Sequence, residues 1–296
     1  MDSTKPSTMD TKKETTMRHR PLLAFALVLA ATLAAPGAAH AGRGSSYGQI
    51  MGAIRTGNAD VIISELERAE RLPCGACIEP VMGLLDSDDY RIREVAAWWF
   101  ARRPAQKTEL IDVATARLYA DDPVLARNGA DLLGTFRMKA AIPTLAYAAA
   151  RTDLAPEARV AAIRAIGTIS HPDGFPALVK AMTDGDASVR AEAVRSYRAM
   201  RGTPDGAPLT ALLADANVDV RREAAAAVGH FRNAGARGAL ESILAGDTDE
   251  LTRRNAAWSL GELGLAGSRA ALEKASTDDT SSLVRSVARA SMRKLR

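Results

Sequence analysis

The feature of this sequence that most constrains its fold is a repeat of about 32 residues, marked by seven evenly spaced arginines. Consecutive members lie 34, 32, 31, 31, 32 and 32 residues apart, and alanine follows each of them three positions later. They are Arg93, Arg127, Arg159, Arg190, Arg221, Arg253 and Arg285. A period of this length is typical of solenoids, because a single small unit cannot bury its apolar face and must stack on its neighbours.

An aspartate precedes six of these arginines by six positions, and Ser87 takes its place before Arg93. The aspartates are Asp121, Asp153, Asp184, Asp215, Asp247 and Asp279. We expect these acids and bases to form a ladder along one edge of the stack. Each aspartate would either cap a helix or accept hydrogen bonds from an arginine of its own or an adjacent repeat. A row of anion-binding arginines is the functional alternative, but the recurring acid favours the structural interpretation.

Each repeat is predicted to be a pair of helices, because apolar residues recur at helical spacing and no stretch alternates in the manner of strands. Proline is expected near the start of three first helices, at Pro143, Pro176 and Pro208. Glycine is expected to end four second helices, at Gly134, Gly167, Gly229 and Gly261. With a hairpin at 47–70 and a further unit opening over Pro104 to Leu118, the count is eight helical pairs.

The repeat resembles the HEAT repeat, in particular its short bacterial form named after phycobilisome lyases. The segments from Ala177 to Gly202 and from Leu209 to Gly229 follow the pattern, which has aspartate, Val-Arg, spaced alanines and a closing Leu-Gly or equivalent. The resemblance covers about residues 74–296 and implies an all-α, right-handed α-α superhelix of about eight hairpins. It implies little about function, because solenoids host many tasks.

The N-terminus has the pattern of a secretory signal peptide. Basic residues at 17–20 precede an apolar run at 21–35, and Ala39-His40-Ala41 gives an A-x-A cleavage pattern. We therefore expect a leader at 1–41, with the signal peptide at 17–41 cut after Ala41, and a periplasmic or secreted protein. An uncleaved anchor is the alternative, and translation could start at Met1 or Met17. Residues 42–73 would be an N-terminal helical cap and residues 74–296 the solenoid.

Charge argues against nucleic acid as a partner. Five of the 39 Lys/Arg and three of the 35 Asp/Glu lie in residues 1–41, so 34 bases and 32 acids remain after cleavage. Nucleic-acid binding needs a one-sided basic field, which this balance does not provide. After signal cleavage no membrane span is expected. The sequence does not indicate an oligomeric state.

The two cysteines, Cys74 and Cys77, form a Cys-Gly-Ala-Cys motif after a proline. In an exported protein we expect a local disulfide that rigidifies the turn. A thiol oxidoreductase is the alternative, because a helix N-terminus lowers the pKa of a cysteine. No βαβ context supports that alternative.

Catalytic or metal-binding groups are not apparent in the sequence. HEAT-repeat hydroxylases that modify a lysine derivative bind iron through several His-Glu pairs, whereas His171 and His230, the histidines after residue 41, are not followed by glutamate. We find no Ser/His/Asp set and no phosphate loop. The sequence therefore predicts no enzyme, no metal and no cofactor.

The inner curve of the stack is the predicted binding surface, lined by the second helices. Five positions past each ladder arginine stand Trp98, Leu132, Arg164, Arg195, Ala226, Trp258 and Ala290. Tryptophan and arginine are frequent interface anchors. The candidate binding residues are Trp98, Arg164, Arg195, Arg198 and Trp258, for a protein or peptide partner of a non-catalytic scaffold. The alternatives are that these side chains pack internally or are solvated, and that the protein handles redox or cofactor chemistry through its cysteine pair.

Overall fold

The computed structural model describes residues 45–202 and 206–296, and within them every regular element is a helix. The predicted signal peptide at 17–41 lies outside the described residues. The α-helices are α1 Tyr47–Thr56, α2 Ala59–Arg68, α3 Ile78–Gly83, α4 Tyr90–Phe100, α5 Pro104–Arg117, α6 Pro123–Thr135, α7 Ile142–Ala150, α8 Pro156–Ile169, α9 Phe175–Ala181, α10 Ala187–Ala199, α11 Val218–His230, α12 Arg237–Gly246, α13 Glu250–Leu263, α14 Arg269–Asp278 and α15 Ser282–Met292.

The helices form eight antiparallel pairs, as the repeat predicts. Seven pairs are α1 with α2, α3 with α4, α5 with α6, α7 with α8, α9 with α10, α12 with α13 and α14 with α15. In the remaining pair, two 3₁₀ segments at Ala207–Leu209 and Ala211–Ala214 precede α11. Pro208 does lie at the start of this pair, as predicted, but the element that it opens is a 3₁₀ helix and not an α-helix. Pro143 and Pro176 do lie in the first turn of α7 and α9, where the missing N–H costs nothing.

Small residues let the second helices approach one another closely. The seven alanines that follow the ladder arginines are all completely buried: Ala96, Ala130, Ala162, Ala193, Ala224, Ala256 and Ala288. Consecutive second helices pack directly together along the stack, and the first helices make fewer such contacts. The second-helix layer is therefore the inner, concave side of the array.

The four glycines expected to end second helices lie inside the last turn of those helices instead. Each faces a small residue of the next second helix, so that a Cβ on the glycine would lie within 3 Å of the neighbour's Cβ. The pairs are Gly134 with Ala165, Gly167 with Ser196, Gly229 with Ser259 and Gly261 with Ser291. Glycine is required here by close packing of neighbouring repeats, whereas the expected role was helix termination.

The first hairpin, α1 with α2, belongs to the same compact unit as the repeats. Ile50, Ile62 and Leu66 of this hairpin are buried in the core that continues through the rest of the array. Trp99 joins the hairpin to α4, because its fully buried ring donates a hydrogen bond from Nε1 to the carbonyl of Ala69 at 3.2 Å. No helix among the described residues is long and apolar enough to cross a membrane.

Candidate functional site

The Arg–Asp ladder is formed between consecutive repeats. Arg190, Arg221 and Arg253 each bind the aspartate of the following repeat through Nε and Nη2, and Arg159 binds its aspartate through Nη2 alone. The pairs are Arg159–Asp184, Arg190–Asp215, Arg221–Asp247 and Arg253–Asp279, with closest distances of 2.7 to 2.9 Å. The remaining Nη1 of each arginine donates to a carbonyl in the turn before its own helix.

The ladder aspartates do not cap the second helices. In the last four repeats each aspartate accepts a hydrogen bond from the backbone N–H two residues later, at Asp186, Asn217, Asp249 and Ser281. The first three of those residues provide the side-chain N-caps of α10, α11 and α13. The aspartate is thereby fixed in the turn, and the same Oδ1 also accepts a hydrogen bond from the preceding arginine.

The ladder departs from the prediction at both ends. Arg93 binds Asp131 on α6, at 2.7 Å, and not Asp121, the aspartate six positions before Arg127. Arg127 donates to Asn128 at 3.0 Å, and its one carboxylate partner among the described residues is the exposed Asp88, at 3.4 Å. The expected partners Asp121 and Asp153 both bind Arg151, an arginine outside the repeat pattern. Arg285 donates to the carbonyls of Asp279 and Thr280 and pairs with no aspartate in the part of the chain that the structure describes.

The concave surface is defined here as the outward side of α2, α4, α6, α8, α10, α11, α13 and α15. The structure places Trp98, Arg164, Arg195, Arg198 and Trp258 on it, all partly exposed. Ala226 and Ala290 also reach the surface, but Leu132 does not. Leu132 is only 3% exposed and packs in the core, so its predicted place on the inner curve is wrong.

A continuous charge network crosses the middle of the concave surface. Arg164 lies 3.7 Å from Asp131 and 4.0 Å from Glu192. Arg195 binds Glu192 at 2.9 Å and lies 3.6 Å from Glu223, which is also 3.5 Å from Arg198. Three of the predicted binding residues, Arg164, Arg195 and Arg198, are thus brought together by carboxylates that the sequence analysis did not select.

One end of this network opens into the N-terminal pocket, a cavity of about 480 Å³ between α2, α4, α6 and α8. Tyr90 lies on its wall under the guanidinium of Arg164, whose Cζ is 4.9 Å from the ring centroid. Burial and the neighbouring Glu94 carboxylate raise the pKa of Tyr90 to about 12. Trp98 also lines the pocket, and the guanidinium of Arg102 stacks on its ring at 3.9 Å. Acidic and basic groups are balanced in this pocket: Glu67, Glu94 and Asp131 against Arg91, Arg137 and Arg164.

The other end opens into the C-terminal pocket, a cavity of about 330 Å³ between α10, α11 and α13. Its lining residues are Arg198, Ala226, His230, Arg254, Asn255 and Trp258. No carboxylate is among them. This pocket joins two predicted residues, Arg198 and Trp258, to Arg254, which the sequence analysis missed.

A third concavity lies on the first-helix side, in the groove between α7 and α9, with a volume of about 1140 Å³. Alanines and the two helix-start prolines make up nearly half of its lining residues, and Tyr147 lies at its rim against the ring of Tyr119. Lys139 and Asp173, 3.6 Å apart, close one end. This groove shows no cluster of reactive side chains.

Cys74 and Cys77 form a disulfide across the 3₁₀ turn before α3. Cys77 is completely buried in the core and Cys74 is partly exposed. His171 accepts a hydrogen bond from the backbone of Asp173, and His230 is exposed at the end of α11. The described residues contain no group of three or more His, Cys, Asp or Glu side chains arranged to hold a metal ion.

Comparison with protein families matches the model described as HEAT repeats over residues 146–209 and 206–293, which is half of the chain. The chain belongs to the HEAT-repeat family. A comparison with curated protein sequences finds no match. The family match agrees with the resemblance inferred from the arginine and alanine period.

Solved structures confirm the right-handed HEAT-type solenoid. The Escherichia coli protein YibA is 15% identical with a TM-score of 0.54, over 84% of this chain and 92% of that one. An engineered protein is 21% identical with a TM-score of 0.50, over 80% and 70%. Kap95p, in a structure describing its binding to RanGDP, is 14% identical with a TM-score of 0.53, over 85% and 41%. At these identities the likenesses show a shared fold.

Proposed function

We propose that this protein is a non-catalytic binding scaffold whose concave surface holds a protein or peptide partner. The observation that carries the proposal is that the ladder arginines are paired within the protein, whereas side chains of the concave surface are partly exposed. The guanidinium groups of the ladder arginines from Arg159 to Arg253 form ion pairs with aspartates of the following repeats. The concave surface keeps partly exposed aromatic and cationic side chains, led by Trp258 and Arg198. Such residues are the usual anchors of protein interfaces.

The family supports a binding role. A solenoid presents one extended rigid surface, which reduces the entropy lost when a partner binds. Kap95p, whose structure describes binding to RanGDP, is one HEAT-type solenoid that holds a protein. We extend to this chain only the principle of holding a partner.

We further propose that the protein is exported to the periplasm or beyond. The leader pattern at 17–41 supports this location, and so does the pairing of Cys74 with Cys77, because disulfides persist in oxidising compartments. N-terminal sequencing of the protein from the envelope or medium should begin at Gly42. A chain that starts at Met1 or Met17 in the cytoplasmic fraction would contradict export.

The redox alternative is less favoured by the surroundings of the cysteines. Cys77 packs against the hydrophobic core, where a change of redox state would disturb the fold around α3 and α4. A disulfide that rigidifies the α2–α3 turn needs no such change. Thiol titration of exported material distinguishes the two roles, because a redox protein would yield reactive thiols without added reductant.

Capture of the partner tests the proposed function. Trp258→Ala should weaken co-purification of the natural partner and leave the circular dichroism spectrum unchanged. Tyr147→Ala is the matched control, because Tyr147 is a half-exposed aromatic residue on the first-helix side. Equal capture by both variants and the unmodified protein would contradict the assignment of the concave surface.

A further inference from the structure

We propose that the C-terminal pocket binds the carboxylate side chain of an acidic residue in an extended peptide segment. An apolar residue next to it in the peptide would pack against Trp258. The inference rests on the proposed function, since it names the chemistry of the partner held on the concave surface. Its basis is a positive charge in the pocket that no carboxylate of the described residues neutralises.

Arg254 carries that charge. Within residues 45–202 and 206–296, no carboxylate oxygen lies within 4 Å of its guanidinium, and Nη1 donates to the amide oxygen of Asn255 at 2.7 Å. Arg253, the adjacent ladder residue, binds Asp279 through two hydrogen bonds. The two arginines of this doublet therefore differ in their partners: the first is paired with a carboxylate and the second with a neutral amide.

The other arginine of the pocket, Arg198, is held by one long ion pair. Arg198 makes one contact of 3.5 Å with Glu223, and Glu223 is shared with Arg195 at 3.6 Å. Arg195 also binds Glu192, at 2.9 Å, so Glu192 and Glu223 together match the charges of Arg195 and Arg198, and the net positive charge of the pocket comes from Arg254. A carboxylate accepts hydrogen bonds from such guanidinium groups readily and in defined geometry.

The pocket is preorganised by Asn255, which is 8% exposed. Its Nδ2 donates to the carbonyl of Arg222 at 2.9 Å, so its Oδ1 is directed to Arg254. Holding the guanidinium in place before binding reduces the entropy lost on binding. Trp258 and Ala226 supply the apolar part of the lining, where a neighbouring side chain of the peptide can pack.

The rest of the concave surface favours an isolated carboxylate over a polyanion. Glu223, Glu192 and Asp131 follow one another along the surface beyond the pocket, and the N-terminal pocket carries as many acids as bases. A nucleic-acid strand would meet these carboxylates with its phosphates and be repelled. A peptide can place one acidic residue at Arg254 and neutral residues elsewhere.

Selection from a random heptapeptide library displayed on phage, with the purified protein as bait, tests the inference. We expect enrichment of Asp or Glu next to an apolar or aromatic residue. Arg254→Glu should weaken the selected peptide, made as a synthetic amide, by about 10- to 100-fold, and Arg254→Gln should weaken it less. Arg269→Glu is the matched control, because it makes the same charge change at an exposed position of α14, a first helix.

The possible outcomes distinguish the peptide-carboxylate inference from the proposed function, which is partner binding on the concave surface. Acidic peptides whose affinity is unchanged by Arg254→Glu, or changed equally by Arg269→Glu, would overturn the assignment of the pocket. A second outcome is that the selected peptides lack acidic residues and lose their binding in the Trp258→Ala variant. That result would overturn the claim that the pocket recognises a carboxylate, but would leave the proposal of binding on the concave surface intact. Failure to select any peptide would overturn the peptide-carboxylate inference, while capture of the natural partner still tests the proposed function separately.

Discussion

Arg221 and Asp247, which belong to consecutive repeats, are joined by two hydrogen bonds, from Nε to Oδ2 at 2.7 Å and from Nη2 to Oδ1 at 3.2 Å. Nη1 of Arg221 also donates to the carbonyls of Asp215 and Ala216 in its own turn. Asp247 accepts from the backbone N–H of Asp249. One pair of side chains thereby links the turn of one repeat to the turn of the next.

Loss of this link should lower stability. Asp247→Asn keeps the shape and the turn hydrogen bond but removes the charge that binds Arg221, so we expect the free energy of unfolding to fall by about 1 to 2 kcal/mol. Denaturant titration followed by circular dichroism measures it. Asp278→Asn, at an exposed position at the end of α14, is the control and should change little. The same midpoint for both variants would show that the ladder does not stabilise the array.

Close packing of second helices predicts a penalty for a single methyl group at Gly229. A Cβ there would lie 2.7 Å from the Cβ of Ser259, so Gly229→Ala should destabilise the protein by about 1 to 3 kcal/mol. Gly52→Ala is the matched control, because Gly52 lies within α1 with nothing within 4 Å of the added atom. That variant should be stabilised by up to about 1 kcal/mol. Thermal melts that rank the two variants in the opposite order would refute the packing argument.

The disulfide is predicted to act on stability alone. The double variant Cys74→Ser, Cys77→Ser should lose about 2 kcal/mol, because the loop closed by the bond is very short. Its affinity for the partner should equal that of the unmodified protein once both are folded. Loss of function without loss of stability would favour the redox alternative.

Acid should weaken the array in a defined pH range. Hydrogen bonds from Arg190 and Arg253 hold the pKa of Asp215 and Asp279 below the usual value, and Arg222 lowers that of Asp249 to about 2. These folded-state values lie below the unfolded value of about 4. Their stabilisation is therefore complete above about pH 5 and is lost as the pH falls through the folded pKa values, toward pH 2.

Melting temperatures between pH 2 and pH 7 test this linkage. The unmodified protein should lose stability steeply below pH 4, and Asp249→Asn should lose less over the same range. Parallel curves for the two proteins would show that the Asp249 pair contributes nothing to the acid transition.

The sequence predicts the fold well because every repeat needs a small residue at the same position, where second helices pack closely together. The seven alanines are periodic, and all seven are buried. The prediction that the four glycines end their helices is wrong. A glycine near the end of a helix gives the same sequence pattern whether it terminates the helix or packs closely against the next helix. The break in the ladder at Arg127 was not foreseeable, since it depends on competition from Arg151, which lies outside the period.

The candidate site was only partly predictable for a similar reason. Periodicity selected Arg164, Arg195 and Trp258 by position, and the structure places them on one surface. It did not select Glu192 or Glu223, because their importance comes from contacts across repeats. Periodicity did not select Arg254, because it selects the adjacent ladder residue Arg253. The Arg-Arg doublet could have indicated that only one of the two arginines belongs to the ladder.

Site-specific photocrosslinking in the living cell tests the central claim most directly, namely that the partner lies on the concave surface. A photoreactive phenylalanine analogue would replace Ala226, at the edge of the C-terminal pocket, or Val113, exposed on α5 of the first-helix layer. We predict that one defined partner is crosslinked from position 226 and none from position 113. Crosslinking of the same partner from position 113 alone would contradict the account.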